Sequence, residues 1–304
     1  MPESTTNKRL IVVVGPTAVG KTALCVQLAR HYNTMILSAD SRQFYREMNI
    51  GTAKPTVAEQ EGVMHHFINS HSIQETYNAG AYEQDVLALL QQLFEVHDTV
   101  ILTGGSGLYV RAVCEGMDAM PEADTALREQ LTKQWQEQGL APLLTQLQQL
   151  DPAYYVRVDQ ANPQRVIRAL EVCLSSGQPY SAFRKNVKQE RPFRLVRLAL
   201  TRDRGELYQR IDERMDMMLA QGLLEEAKAL YPYRQHNALQ TVGYKELFDY
   251  LDGKYDWAEA VRLLKRNSRR YAKRQLTWFQ QEAAYTWFHP GQWQEILQFI
   301  DAEV

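Results

Sequence analysis

Residues 15–22 read Gly-Pro-Thr-Ala-Val-Gly-Lys-Thr, which fits the spacing G-x-x-x-x-G-K-[ST]. These residue types at this spacing hold phosphate. The backbone of Gly15, Thr17, Ala18, Val19 and Gly20 forms a loop whose amides point inward at phosphate oxygens. The helix that follows adds the partial positive charge of its N-terminus, Lys21 reaches the outer phosphates, and the Thr22 hydroxyl can hold Mg²⁺. By pattern alone a nucleotide such as ATP is the usual ligand, but any polyphosphate fits. Asp40 closes an apolar run and opens Asp40-Ser41-Arg42-Gln43. A carboxylate in that position holds Mg²⁺ or accepts a proton, or simply caps a helix. Arg210 and Arg214 stand four residues apart. On one helix face they can grip a pyrophosphate, or instead pair with nearby acids such as Glu206.

The elements that must position these groups can be read from the apolar pattern. Residues 10–14, 35–39 and 100–103 are short β-rich apolar runs, with helical patterns at 23–32 and 81–96 between them. Strand-helix alternation predicts a parallel sheet with helices on both faces. Such sheets put their chemistry outside the carboxyl ends of the strands. Asp40 and the Gly104-Gly105-Ser106 turn therefore fall on the same rim as the phosphate loop. The run at 100–103 ends in Thr-Gly, without the acid that a motor or switch ATPase carries there.

After Gly116 the pattern changes to polar, Gln-rich helical segments, such as 126–138 and 141–149, and strand character returns at 193–200. The reading is an α/β phosphate-loop core, residues 1–117 and 191–304, interrupted by an all-helical insertion at 118–190. Long helices are expected at 204–230 and 257–283, and a last strand at 285–288. No internal repeat or low-complexity tail is evident.

Composition narrows the class. The chain has 304 residues, 45% of them hydrophobic, and a formal net charge of −2, so any nucleic-acid surface must be local. Cys25, Cys114 and Cys173 are far apart, which argues against a disulfide framework or a thiolate zinc site. No stretch approaches the ~20 apolar residues of a membrane span, and no secretory signal is evident, so a cytoplasmic protein with no membrane contact is expected. Gly51-Thr52-Ala53-Lys54-Pro55 reads as a solvated turn, and His65-His66 as structural, because neighbouring side chains on a strand point apart.

Local basic charge is concentrated at 262–274, which holds seven Lys or Arg and no acid. At 3.6 residues per turn Arg262, Arg266, Arg269 and Lys273 share a stripe, with Trp257, Val261, Leu264, Tyr271 and Trp278 largely opposite. A solvated helix face normally mixes signs. A one-signed face suits the phosphates of a nucleic acid.

These motifs together resemble the tRNA dimethylallyltransferases, or tRNA isopentenyltransferases, of the bacterial type. The resemblance covers nearly the whole chain. It is carried by residues 15–22, 40–43, 51–55, Gly104-Gly105-Ser106-Gly107-Leu108-Tyr109, Asn162-Pro163-Gln164-Arg165-Val166-Ile167-Arg168, Val242-Gly243-Tyr244-Lys245-Glu246 and 272–279. Ser106 stands where the family often has Thr, and the hydroxyl is kept.

The resemblance implies transfer of a dimethylallyl group from dimethylallyl diphosphate to N6 of the adenine just 3′ of a tRNA anticodon, releasing diphosphate. The loop would then hold the donor's diphosphate rather than ATP, with Mg²⁺ placed by Thr22. Lys21, Arg210 and Arg214 would neutralise the leaving group. Asp40 would take the N6 proton, with Ser106 hydrogen-bonded near the base or that carboxylate, and the adenine would leave its stack to enter the site. Contacts to the tRNA anticodon stem-loop would come from Asp40, Ser41, Arg42, Gln43, Ser106, Arg128, Gln164, Arg165, Arg168, Gly243, Tyr244, Lys245, Arg266, Arg269, Lys273 and Arg274, on a monomeric enzyme. A small-molecule or nucleotide kinase is the alternative, since it shares loop and sheet but gives no role to the basic helix.

Overall fold

The computed structural model describes residues 7–122, 124–185 and 187–303. The chain begins β1 (Arg9–Val14), α1 (Lys21–His31), β2 (Ile36–Ser38), α2 (Val57–Gln60), β3 (His65–His66), α3 (Ala79–Val96), β4 (Thr99–Gly104) and α4 (Gly107–Glu115). Then come five helices: α5 (Thr125–Gln138), α6 (Ala141–Leu150), α7 (Pro152–Tyr155), α8 (Pro163–Ser176) and α9 (Tyr180–Phe183). It resumes with β5 (Arg194–Leu200), α10 (Arg204–Ala220), α11 (Leu223–Leu230), α12 (Tyr244–Leu251), α13 (Trp257–Gln280), β6 (Thr286–Phe288) and α14 (Trp293–Ala302). By its contacts the chain divides into two compact units, 1–115 with 190–304, and 116–189.

The first unit is built on one six-stranded sheet in the order β3-β2-β4-β1-β5-β6, and every pairing is parallel. Because side chains alternate across a strand, β1 feeds two cores. Ile11 and Val13 pack with Leu24 and Leu28 of α1, Leu207 and Ile211 of α10, and Ile296 of α14. Leu10, Val12 and Val14 pack on the other face with Val86 and Leu90 of α3 and Val110 and Val113 of α4. Both faces are therefore covered by helices, and the strand reads as an unbroken apolar run for that reason. A third apolar cluster joins α10 to α13 around Tyr244, Leu247 and Leu264.

Among its described residues the second unit has helices and no strand, packed around Leu131, Leu143, Leu147, Tyr154, Val166 and Leu170. Its helices start where the sequence supplies caps. Asp124 accepts from the Leu127 amide, and Asn162 from that of Arg165.

One expected element is broken in two. The helix expected over 204–230 ends at Ala220, and Gly222, at φ +100, starts the next one at Leu223. A left-handed residue stops a helix, and glycine adopts that conformation without a Cβ clash.

Candidate active site

A Cβ on Gly15 would lie 2.8 Å from the Leu200 carbonyl oxygen, at φ +148, so only glycine lets the chain leave β1 here. Ala18 and Gly20 also have positive φ, and Val19 is fully buried, which pins the loop to the core. Lys21 folds back over the loop, its Nζ donating to the Gly15 and Pro16 carbonyls at 2.9 Å each. Burial pushes its ammonium down to about 8; neighbouring Asp40 opposes the fall and Arg214 adds to it.

Three arginines brace the loop. Arg202 Nε donates to Val19 O at 2.7 Å, Arg210 Nε to Ala18 O at 2.9 Å, and Arg214 Nη1 to Thr17 Oγ1 at 3.4 Å. Of the two readings for the α10 pair, the loop-facing one is realised, since Glu206 pairs with Arg202 instead. Burial, and Arg210 beside it, hold the Arg214 guanidinium below its ordinary value.

Thr17, Ala18, Gly20, Lys21, Thr22, Arg210 and Arg214 line a cavity of about 380 Å³ together with Asp40, Arg42 and Gln43. Asp40 Oδ1 accepts from the Arg42 amide at 2.9 Å, which fixes the carboxylate at the strand end. Gln43 spans from Ser38 Oγ (3.1 Å) to the Thr52 and Ala53 carbonyls (3.2 Å each), so it ties the 51–55 turn to β2. Ser41 and Ser106 are not on the cavity wall. Ser106 Oγ accepts from the Ser41 amide at 2.9 Å and donates to Ser41 Oγ at 3.1 Å, so these hydroxyls lock the Asp40 turn to the Gly105 turn instead of reaching Asp40.

Helix α13 supplies site residues that helical periodicity assigns to the core or does not single out. Ser268, Tyr271 and Gln275 line the cavity. Burial and the Asp40 charge both raise the Tyr271 phenol, which also meets Ser106. The one available signal was a polar atom on three residues spaced three and four apart along an otherwise apolar helix face.

The cationic stripe on α13 is redrawn. Arg269 turns to Asp212 of α10, 2.5 Å away, and Lys265 to Asp216 at 2.6 Å, while Arg262 pairs with Glu259 at 2.6 Å. Two of these acids, Asp212 and Asp216, come from a neighbouring helix, which no reading of α13 alone could reveal, while Glu259 stands three residues before Arg262 on α13 itself. Arg266, Arg270, Lys273 and Arg274 share the outward face. Among the described residues no acid lies within ion-pair distance of them, and the last three are exposed.

Three expected RNA contacts are engaged inside the protein. Tyr244 is fully buried, and its hydroxyl donates to Glu226 at 2.6 Å. Glu226 also accepts from the Asn49, Ile50 and Gly51 amides at 2.9 Å each, and a Cβ on Gly51 would strike the Tyr244 ring at 2.5 Å. Gly243 lines the cavity and Lys245 is exposed. In the helical unit Arg128 and Arg168 converge on Glu171, at 2.7 and 2.6 Å. The Glu171 side chain has no exposure, so its charge needs both partners. Gln164 and Arg165 remain exposed. Glu171→Ala is expected to destabilise the helical unit by about 2–3 kcal/mol in urea unfolding. This is below the about 3–5 kcal/mol of a fully buried pair, because the Arg128 side chain stays 47% exposed. Wild-type hydrogen exchange across 116–189 in this variant would contradict the assignment.

His65 Nδ1 lies 3.0 Å from Val63 O and His66 Nε2 3.4 Å from Met35 Sδ. Among the described residues no group of three His, Cys, Asp or Glu side chains could hold a metal, and no helix is long and apolar enough to cross a membrane.

A phosphate loop at the rim of an all-parallel sheet, with a carboxylate on the same cavity, defines a phosphate-handling α/β enzyme. A model of the IPP transferase family matches residues 43–282. The chain is 55% identical over 298 residues, 98% of each sequence, to a tRNA dimethylallyltransferase of Cytophaga hutchinsonii. Its structure is similar to that of the full-length tRNA isopentenylpyrophosphate transferase of Bacillus halodurans, with a TM-score of 0.72, 40% identity, and coverage of 97% of this chain and 96% of that one. It is also similar to a eukaryotic dimethylallyltransferase acting on tRNA, with a TM-score of 0.73, 27% identity, and coverage of 89% and 69%. The chain belongs to the IPP transferase family.

Proposed function

We propose that this protein transfers a dimethylallyl group from dimethylallyl diphosphate to N6 of the adenine 3′-adjacent to the anticodon of tRNA, releasing diphosphate. The observation that carries this reading is one cavity lined both by a cationic phosphate loop and by Asp40. Diphosphate oxygens fit Lys21, Arg210, Arg214 and the loop amides other than those of Thr17 and Val19, which donate to Gln275 Oε1 and Pro16 O. Charge grows on these oxygens as the allylic C–O bond weakens, and fixed donors around them lower that barrier. Adenine N6 is a poor nucleophile because its lone pair is delocalised into the ring, so a base that takes its proton during attack is needed. Asp40 is the carboxylate available for this. Tyr271 and Ser268 supply polar atoms on the same wall. A kinase would share the loop, but family membership favours prenyl transfer.

The Thr22 hydroxyl suits Mg²⁺ and is the protein oxygen offered to it on the cavity wall, Asp40 being kept for the proton. A single oxygen is too few to cage an ion, but matches Mg²⁺, which typically keeps waters and uses one or two protein oxygens plus substrate phosphates. Bound there, it would neutralise charge on the leaving diphosphate.

The outward face of α13 would track the tRNA backbone, with Gln164 and Arg165 of the helical unit as further contacts to the anticodon arm. Replacing Arg266, Arg270, Lys273 or Arg274 by Ala should each lower the log–log salt slope of tRNA binding by roughly 0.7–0.9. Arg262→Ala and Arg269→Ala should change it less, because their charges already meet Glu259 and Asp212. Filter binding between 50 and 200 mM salt checks this; wild-type slopes in all four variants would remove the face from the RNA site.

The whole reading is tested by incubating the protein with radiolabelled dimethylallyl diphosphate, Mg²⁺ and unmodified tRNA and counting label in RNA. Label that requires ATP, or none at all, would overturn it.

A further inference from the structure

Gln275 sits on α13 with 5% of its surface exposed. Its Oε1 accepts from the Thr17 amide at 2.9 Å and its Nε2 donates to the Gly105 carbonyl at 2.9 Å. One side chain therefore joins the phosphate loop after β1 to the turn after β4. The two ends serve different halves of the site. The Thr17 end belongs to the loop under Lys21 and Arg214. The Gly105 end precedes Ser106, whose hydroxyl holds Ser41 next to Asp40. The turn is shaped to admit this amide. A Cβ on Gly105 would lie 2.1 Å from Gln275 Nε2, and Gly105 is not among the residues with positive φ. The backbone there would accept alanine, so what excludes a side chain is the glutamine itself.

We propose that Gln275 is a positioning residue that fixes the distance between the diphosphate-holding loop and the Asp40 turn. This inference rests on the prenyl-transfer reading. Neither end needs Gln275 to bind its own substrate, because the phosphates meet the loop and its cations while the base meets the Asp40 wall. What the strut sets is the gap across which N6 attacks the allylic carbon. Reacting atoms must be held about 3–3.5 Å apart, and a 1 Å error costs about 10²-fold in rate. An amide is suited to this task because it presents one acceptor and one donor at fixed separation.

The test uses Gln275→Met, which keeps length and removes both polar atoms, and Gly105→Ala, which leaves Gln275 in place but displaces its Nε2. Donor affinity is measured by calorimetry with dimethylallyl diphosphate and Mg²⁺, tRNA affinity by filter binding, and the single-turnover rate with both saturating. Each variant should bind both substrates within about threefold of wild type while the rate falls about 30–100-fold. The double variant should be no slower than the worse single one, because both changes remove the same strut. If Gln275→Met fails to fold in a melting scan, Gly105→Ala decides the matter by itself. Rates within threefold of wild type, a loss of affinity as large as the loss of rate, or multiplying effects in the double variant would each overturn the proposal. Absence of transfer by the wild-type protein would instead overturn the prenyl-transfer reading.

Discussion

Asp40→Asn is expected to lower single-turnover dimethylallyl transfer about 10²–10⁴-fold, the range for loss of a general base. Asparagine keeps the Oδ1 that accepts from the Arg42 amide at 2.9 Å, so the turn and the Ser41–Ser106 lock should survive. Asp40 opposes the burial-driven fall in the Lys21 pKa, so losing its charge favours the neutral amine and donor affinity should fall somewhat at neutral pH. The remaining loop contacts do not involve Asp40. The expected signature is thus a rate loss that far exceeds the loss of donor affinity, with tRNA binding retained. A folded Asp40→Asn protein with near-normal turnover would remove the carboxylate from the proton-transfer role. Recovery of its rate as pH is raised would point to adenine losing its proton to solvent.

Lys21→Met should cost about 10²–10³-fold in transfer, as for loss of one preorganised donor to developing negative charge. It should also weaken dimethylallyl diphosphate and leave tRNA affinity unchanged. A pH signature accompanies this in the wild-type protein. The free lysine titrates at about 8, depressed chiefly by burial, with Asp40, Arg214 and Cys25 as its charged or titratable neighbours. The diphosphate binds the protonated form and so raises that pKa. Donor affinity is therefore level between about pH 7 and 8 and falls above it by up to about tenfold per pH unit, until the pKa of the complex is reached. The donor's own last proton is already gone, near pH 6 for phosphate monoesters, so it cannot produce this fall. Calorimetry at pH 8.5 in buffers of different ionisation enthalpy should record proton uptake on binding. Lys21→Met should abolish both uptake and slope. A slope that persists in the variant would assign the titration elsewhere.

The sequence was most legible where function is local. The phosphate loop and Asp40 are short motifs at strand ends, and their placement follows from the strand-helix order. Five of the six strands and the helical interruption follow from apolar pattern in the same way, whereas β3, His65–His66, has no apolar run to mark it. Legibility fell where the partner lies far along the chain. Arg128 and Arg168 are polar residues on an amphipathic pattern, and only the packed helices bring Glu171 between them. Tyr244 looks like an exposed recognition residue until α11 delivers Glu226 to its hydroxyl. Arg210 and Arg214 had two equal readings, which the position of the loop against α10 decided. Tyr271 and Gln275 were hidden for the opposite reason. Helical phase separates core from solvent, but a cavity wall lies between them, and phase does not distinguish it from core.

The strand order also governs how the chain matures on the ribosome. β1 pairs with β4 on one side and β5 on the other. The first partner ends at Gly104 and the second begins only at Arg194. About 90 residues are made in between, which at about 5–20 residues per second leaves the central Leu-Ile-Val-Val-Val edge unpaired for several seconds. An open apolar edge of this kind is a template for aggregation. The interval is occupied by synthesis of the helical unit, whose apolar cluster lies wholly within residues 116–189. Its helices can close before β5 emerges, so the nascent chain carries a folded module, not a slack loop, while the sheet waits for its fifth strand.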